Sequence, residues 1–118
     1  MEYILKMQTV VETPSYLKAA EKLFSAEERE AIVAMVSDDP ECGAVIQGTG
    51  GFRKVRFGRE GMGKRGGARI VYIFRNKEFP IFLVAVYAKS EKANLTKVER
   101  NELAKLADAI FTRYGRRP

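Results

Sequence analysis

The chain has 118 residues, enough for one domain with a single core but not for two. It contains one cysteine, Cys42, and no histidine, which excludes an intrachain disulfide, Ser–His and Cys–His nucleophilic catalysis, and histidine-based zinc sites. The net charge of +6 is uneven, because residues 1–50 are acidic and residues 51–118 are strongly basic. The basic half predicts a polyanionic partner. Nucleic acid is the commonest such partner, and an acidic protein segment or a membrane surface also fits.

The first part of the chain predicts a strand followed by two helices. Apolar and β-branched residues favour a strand within Met1–Glu12. Thr13-Pro14 is typical of a helix start, and this helix is expected to end near Phe24. Ser25-Ala26-Glu27-Glu28 is a capping box that begins a second helix, which ends before Pro40. Both helices are amphipathic, as expected of helices that cover a sheet.

Residues 50–89 concentrate positive charge on strand-like sequence, after a predicted loop at 43–51. Between Arg53 and Lys77, nine Lys/Arg stand against a single acidic residue, Glu60. Three strands are predicted near 52–57, 69–75 and 81–89, and the short connections between them predict an antiparallel sheet. The connection at 58–67 has the glycine spacing of a phosphate-binding P-loop up to its lysine. It lacks the motif's Ser or Thr and precedes a strand, so a nucleotide triphosphate site is rejected.

Alternation along these strands selects the candidate site residues. Lys54 and Arg56 share one face of the first strand, about 7 Å apart, and Arg53 lies on the other face. Arg69 lies on one face of the second strand, whereas Tyr72 lies on the opposite face. Five side chains are therefore expected to converge on one concave surface: Lys54, Arg56, Arg69, Tyr87 and Lys89. For any one of these cations, the alternative interpretation is an ordinary solvated surface residue.

The C-terminal part predicts one more helix and no membrane segment. Leu95-Thr96-Lys97-Val98-Glu99 is a capping box, and the helix is expected to run to about Tyr114. Its predicted apolar stripe consists of Leu103, Leu106, Ala107 and Ile110. The longest apolar run, Ile81–Ala88, is too short to span a bilayer, and no secretory signal pattern is present. We therefore expect a cytoplasmic protein without membrane contact.

Three segments carry a resemblance to the RelE/HigB superfamily of bacterial toxin ribonucleases, particularly its HigB-like branch. They are Gly48–Arg56, Gly63–Tyr72 and Val86–Lys92, followed by the helix start at Leu95-Thr96. The resemblance covers roughly residues 48–102 and implies a single toxin domain over 1–118. The implied fold is a compact α+β fold with helices on one side of an antiparallel, at most mixed, sheet of about four strands. Two N-terminal helices and a C-terminal helix complete it.

This resemblance also implies a function. The protein would be the toxin of a type II toxin–antitoxin system that cleaves translated mRNA in the ribosomal A site and so inhibits translation. The implied reaction is attack by the substrate's own 2′-OH, with no metal and no cofactor. The implied partners are mRNA, rRNA and a cognate antitoxin, a HigA-like helix-turn-helix protein through which alone operator DNA is contacted.

The resemblance assigns roles to individual residues. Arg69 matches the family's arginine after the double glycine and is expected to bind the phosphate with help from Arg56. Lys54 is a candidate general base, provided that neighbouring cations favour its neutral form, and Lys89 is a candidate proton donor to the leaving 5′-oxygen. Tyr87 is expected to stack on a base or to share the proton transfer. The residues expected to hold RNA are Arg53, Lys64, Arg65, Tyr72 and Lys92.

The chain departs from RelE in one respect. RelE places a catalytic tyrosine a few residues after the late-strand basic residue, and no tyrosine stands at 93–95 here. The general base is therefore left open. Two alternatives to the nuclease are a non-catalytic basic module that binds RNA or an acidic protein, and a ParE-like toxin that targets gyrase on the same fold. The cation cluster argues against the latter.

Overall fold

The computed structural model describes residues 8–58, 67–92 and 94–115, which form an α+β fold. Its elements are β1 (Val10–Glu12), α1 (Pro14–Leu23), α2 (Ala26–Asp38), β2 (Ala44–Val45), β3 (Phe52–Phe57), β4 (Ala68–Ile73), β5 (Ile81–Ala88) and α3 (Lys97–Gly115). Within this described part, no helix is both long and apolar enough to cross a lipid bilayer.

The helix starts lie where the sequence predicts them, because each is fixed by a local side chain. The Thr13 hydroxyl accepts a hydrogen bond from the Tyr16 amide at 3.4 Å, with Pro14 as the first helical residue. At the start of α2, Ser25 and Glu28 exchange side-chain and backbone hydrogen bonds. Thr96 and Glu99 form the same capping box before α3. All three predicted starts are confirmed.

The five strands form one mixed sheet in the order β1-β5-β4-β3-β2. β1 pairs in parallel with β5, and the other pairs are antiparallel. The extra strand relative to the expected four is β2, whose two residues lie in the predicted loop at 43–51. Two residues are too few for a periodic signal. They pair with β3 because Gly48, Gly50 and Gly51 adopt positive φ values and let the chain reverse direction.

Both faces of the sheet are covered by helices. α1 and α2 pack on the first face, where Tyr16 and Ile32 meet Ile70 and Leu83. α3 packs on the second face, where its residue Ala107 belongs to a separate buried cluster, and Leu103, Ile110 and Phe111 pack against that cluster. The strand members of the cluster are Phe52, Val71, Ile73, Phe82, Val84 and Tyr87. The expectation that the helices lie on one side of the sheet is therefore wrong for α3.

Two smaller predictions about α3 and β5 have different outcomes. Leu106 was placed in the apolar stripe of α3, but it is 39% exposed, and Phe111 packs on the sheet instead. β5 is apolar on both faces, as predicted for a central strand, because it lies between β1 and β4 with helices on either side.

Candidate active site

Three polar side chains form a row across the sheet on the face that α3 also packs against. Arg56 of β3 is paired with Arg69 of β4, and Arg69 is paired with Tyr87 of β5. Directly opposite residues on neighbouring strands have Cβ atoms about 5 Å apart, so adjacent members of the row are close enough for their side chains to interact. We call Arg56, Arg69 and Tyr87 the cationic row. The pairing places these three side chains on the same face of the sheet.

Lys54 and Lys89 lie beside the cationic row. Lys54 shares its face of β3 with Arg56 and is paired with Val71, one step along the sheet from Arg69. Lys89 is exposed and directly follows β5. Its amide donates to the Gly67 carbonyl at 3.2 Å, so its backbone lies at the end of β4 where Arg69 begins the row. The backbones of the five predicted residues therefore lie near one another on the β3–β4–β5 ladder.

The row contains a like-charge pair and two unsatisfied polar atoms. Two arginines directly opposite each other repel, and among the described residues neither forms an ion pair. The Arg69 Nη1 atom and the Tyr87 hydroxyl are both buried, and neither has a hydrogen-bond partner within the described part of the chain. The Tyr16 hydroxyl is also buried and unpaired, but it lies on the opposite face under α1. Because Arg69 and Tyr87 are paired residues of β4 and β5, the two unsatisfied groups belong to neighbouring side chains.

The Tyr87 hydroxyl is a group that can hold and donate a proton. Burial raises the pKa of Tyr87 above its ordinary value, an effect that Arg69 and Lys92 partly oppose. The hydroxyl is therefore protonated at neutral pH and can donate a hydrogen bond or a proton. The residue is 7% exposed, and the Lys92 ammonium lies 5.5 Å from the centroid of its ring. Little of the ring is available for stacking in this structure, so that role of Tyr87 stays a prediction.

Arg53 does not belong to this surface. It lies on the face of β3 that packs under α1 and α2, where it donates to the Gly43 carbonyl at 2.8 Å and pairs with Glu41 at 3.5 Å. Its guanidinium ties the segment before β2 to the sheet. The structure therefore does not bring Arg53 together with the cationic row, and an RNA contact by Arg53 stays a prediction.

Tyr72 is likewise a structural residue. It is fully buried on the α1/α2 face, and its hydroxyl donates to the Pro40 carbonyl at 2.7 Å and accepts from the Gly43 amide at 2.8 Å. A Cβ at Gly43 would come within 2.9 Å of both the Tyr72 hydroxyl and the Lys54 carbonyl, so a glycine is needed there. The prediction that Tyr72 binds RNA is wrong, because no RNA can reach the hydroxyl in this fold.

Lys92 is close to the site but already has a partner. Its ammonium forms an ion pair with Glu99 in the first turn of α3. The sequence does not indicate that Glu99 lies near the site, because its place in the capping box already explains why a glutamate stands there. The remaining predicted RNA contacts, Lys64 and Arg65, lie outside the described residues.

Known protein families and solved structures contain matches to this chain. The family model of the RelE toxin of the RelE / RelB toxin–antitoxin system matches residues 28–116. Among solved structures, a mutant of E. coli toxin RelE in the free state matches with a TM-score of 0.56 and 18% sequence identity. That match covers 81% of this chain and 96% of the E. coli chain, and it shows a shared fold. Since the family model spans most of the sequence, the chain belongs to the RelE family of toxins from toxin–antitoxin systems.

Proposed function

We propose that this toxin is a ribosome-dependent endoribonuclease of the HigB-like branch that cleaves translated mRNA without a metal or cofactor. The observation that carries the proposal is the cationic row, in which Arg69 Nη1 and the Tyr87 hydroxyl are buried without partners. Leaving a buried polar group unsatisfied costs about 1–3 kcal/mol, so a fold that keeps two of them side by side is suited to an anionic ligand. A phosphodiester is such a ligand.

The proposed reaction needs no protein nucleophile. The ribose 2′-oxygen attacks the adjacent phosphorus, the phosphorus–O5′ bond breaks, and the products are a 2′,3′-cyclic phosphate and a 5′-hydroxyl end. One proton leaves the 2′-oxygen and one is delivered to O5′. The protein therefore has three tasks, which are to align the phosphate, to stabilise its added negative charge and to move two protons.

Arg69 performs the second task in this proposal. A guanidinium is permanently charged and can bind two phosphate oxygens at once, and Arg56 on the neighbouring strand provides a second cation about 5 Å away at Cβ. The repulsion between the two arginines is relieved when a phosphate lies between them. This gives the phosphate a site that is organised before the substrate arrives.

The proton transfers fall to the neighbours of the two arginines. Tyr87, which is protonated at neutral pH, is the proposed proton donor to O5′, and Lys89 at the end of β5 is the second candidate for that task. Lys54, on the same face as Arg56, is the proposed acceptor of the 2′-OH proton. In this proposal Tyr87 takes a role that RelE gives to a tyrosine located a few residues later in the chain.

The partners follow from this proposal and from the family. As a RelE toxin, the chain has a cognate antitoxin. We propose that this antitoxin is a HigA-like helix-turn-helix protein, that operator DNA is contacted only through it, and that the toxin acts in the cytoplasm on mRNA in the ribosomal A site, with rRNA as a further contact. The surface charge of residues 51–118 supports binding to RNA.

The test is a reconstituted translation reaction in which transcript ends are mapped after addition of purified toxin. The proposal predicts cuts within the translated region that require ribosomes. Tight, salt-sensitive RNA binding that leaves every transcript intact would instead identify a binding module. Intact transcripts together with inhibited DNA supercoiling would identify a gyrase-targeting toxin.

A further inference from the structure

Behind the cationic row, a chain of contacts connects Tyr87 to the first turn of α3. The Lys92 ammonium lies 5.5 Å from the centroid of the Tyr87 ring, and the same ammonium is ion-paired with Glu99. The other carboxylate oxygen of Glu99 accepts from the Thr96 amide at 2.8 Å. Glu99 thus has one oxygen in the helix cap and the other on Lys92.

We propose that Lys92 and Glu99 are positioning residues for Tyr87, in which Glu99 holds the Lys92 ammonium over the tyrosine ring. The inference rests on the proposed nuclease function, because it gives Tyr87 its task. Within that function, it assigns Lys92 a role in orienting a catalytic group rather than in holding RNA. Neither residue touches the substrate in this proposal.

The identity of residue 99 supports the proposal. A capping box needs Glu or Gln at this position, since either side chain can accept from the N-cap amide. Only Glu can also neutralise Lys92. The helix cap alone therefore does not explain the ion pair between Glu99 and Lys92. Without that counter-charge, the Lys92 ammonium would be attracted to a nearby phosphate instead of staying over the ring.

The Tyr87 hydroxyl needs such support because no hydrogen bond within the described part of the chain orients it. Three charged groups surround the ring: Arg69 from β4, Lys92 from the turn after β5 and Glu99 from α3. Arg69 and Lys92 lower the pKa of Tyr87, and Glu99 raises it. The ammonium of Lys92 both holds the ring and makes its proton easier to release.

The experiment compares Lys92→Met with the wild-type toxin in two assays. In the first, protein labelled with ¹³C at tyrosine Cζ is titrated with base, and the Tyr87 signal is assigned with Tyr87→Phe. Removing Lys92 also leaves Glu99 unpaired, so both changes move the onset of Tyr87 ionisation to higher pH. For the loss of Lys92 alone, one unit charge at the 5.5 Å that separates its ammonium from the ring centroid corresponds, in a water-like dielectric, to about half a pH unit.

In the second assay, cleavage of ribosome-bound mRNA is measured under single-turnover conditions. The proposal predicts that the maximal rate falls about tenfold while the half-saturating concentration of toxin stays unchanged. The loss is smaller than the whole contribution of proton transfer to the rate, because Tyr87 itself is still present. Glu99→Gln keeps the cap and is expected to lower the rate similarly. In the Lys92→Met background, Glu99→Gln should lower the rate no further, because its positioning effect acts through Lys92. The Tyr87 titration of this double variant should move back towards lower pH, because the unpaired carboxylate that raises the pKa of Tyr87 is gone.

A second ion pair on α3 provides the matched control. Lys105 and Glu102 lie 3.9 Å apart on the exposed side of the helix, and Lys105→Met should change neither the Tyr87 titration nor the cleavage rate. The positioning role is overturned if Lys92→Met leaves the Tyr87 titration unchanged. It is also overturned if this variant raises the half-saturating concentration at an unaltered maximal rate, because that result identifies a direct RNA contact. A wild-type toxin that cuts no RNA would refute the proposed function, whereas the titration would still report the coupling.

Discussion

Replacing Arg69 by Met is expected to raise stability and abolish most of the activity. Methionine keeps much of the apolar length of the side chain but removes the charge and the buried Nη1 atom, which has no partner among the described residues. It also ends the repulsion between Arg69 and Arg56, which face each other across β3 and β4. The substitution thus separates what the residue does for the fold from what it does for the substrate.

The gain in stability follows from two terms. Removing an unsatisfied buried polar group recovers about 1–3 kcal/mol, and removing a directly opposed like-charge pair recovers about 0.2–1 kcal/mol. Imperfect packing of methionine offsets part of this gain, so we expect a net increase of about 1–2 kcal/mol in the free energy of unfolding. For a domain of 118 residues this corresponds to a rise of roughly 4–8 °C in Tm, which a thermal melt followed by circular dichroism can measure.

The loss of activity is expected to be large. Removing one preorganised donor to a developing oxyanion costs about 10²–10³ in rate, so Arg69→Met should cleave ribosome-bound mRNA at least a hundredfold more slowly. Arg75→Met is the matched control. It removes the same charge about 20 Å farther along the chain direction of β4, where Arg75 packs against Phe111, and it should cleave at the wild-type rate. An Arg69→Met protein that is folded and cuts within tenfold of wild type would refute this reasoning, as would one that is clearly less stable.

Three further substitutions have distinct expected outcomes. Tyr87→Phe keeps the packed ring and removes an unpaired hydroxyl, so stability should hold or rise while cleavage falls about a hundredfold in end-mapping assays. Tyr72→Phe should give the opposite pattern, losing about 1–3 kcal/mol in urea melts because the buried Gly43 amide loses its acceptor, with cleavage by the folded protein unchanged. Lys92 lowers the pKa of Glu99, so this ion pair stabilises the fold above about pH 4.5 and is lost as the pH falls through the folded pKa. At acid pH the free energy of unfolding should therefore fall less in Lys92→Met than in the wild type. Because both side chains are partly exposed, this difference should be less than about 1 kcal/mol.

The parts of the fold that depend on local chemistry could be predicted from the sequence. The helices that start at Pro14 and Ala26 each follow a residue whose hydroxyl accepts a hydrogen bond from a backbone amide. This signal lies within four consecutive residues of the sequence. Alternation along β3 and β4 correctly placed Arg56 and Arg69 on one face, because the side-chain period of a strand does not depend on its neighbours.

Features that depend on distant contacts could not be predicted in the same way. α3 covers the second face of the sheet because apolar side chains lie there, among them Phe52, Val71 and Phe82. These residues are far from α3 in sequence. β2 was missed because two residues carry no period, although its pairing with β3 extends the sheet.

The errors at the site have a common physical cause. Residue type alone predicts an RNA contact for Tyr72 and Arg53, whereas alternation along β3 and β4 already places both on the face opposite Arg69. Their partners include backbone carbonyl and amide groups of the segment 40–43 and the Glu41 carboxylate, which only the folded chain brings near. The sequence predicts an RNA contact for Lys92, because its partner Glu99 also satisfies a helix cap and so gives no sequence signal of an ion pair.

The most direct test uses a ribosome-bound mRNA in which the nucleotide before the scissile phosphate lacks its 2′-OH. If the cationic row promotes attack by that hydroxyl, the wild-type toxin will cut the unmodified message to give a 5′-hydroxyl fragment and will leave the 2′-deoxy message intact at the same position. Cleavage of both messages at equal rates would contradict the account, because the attacking group would then have to come from elsewhere.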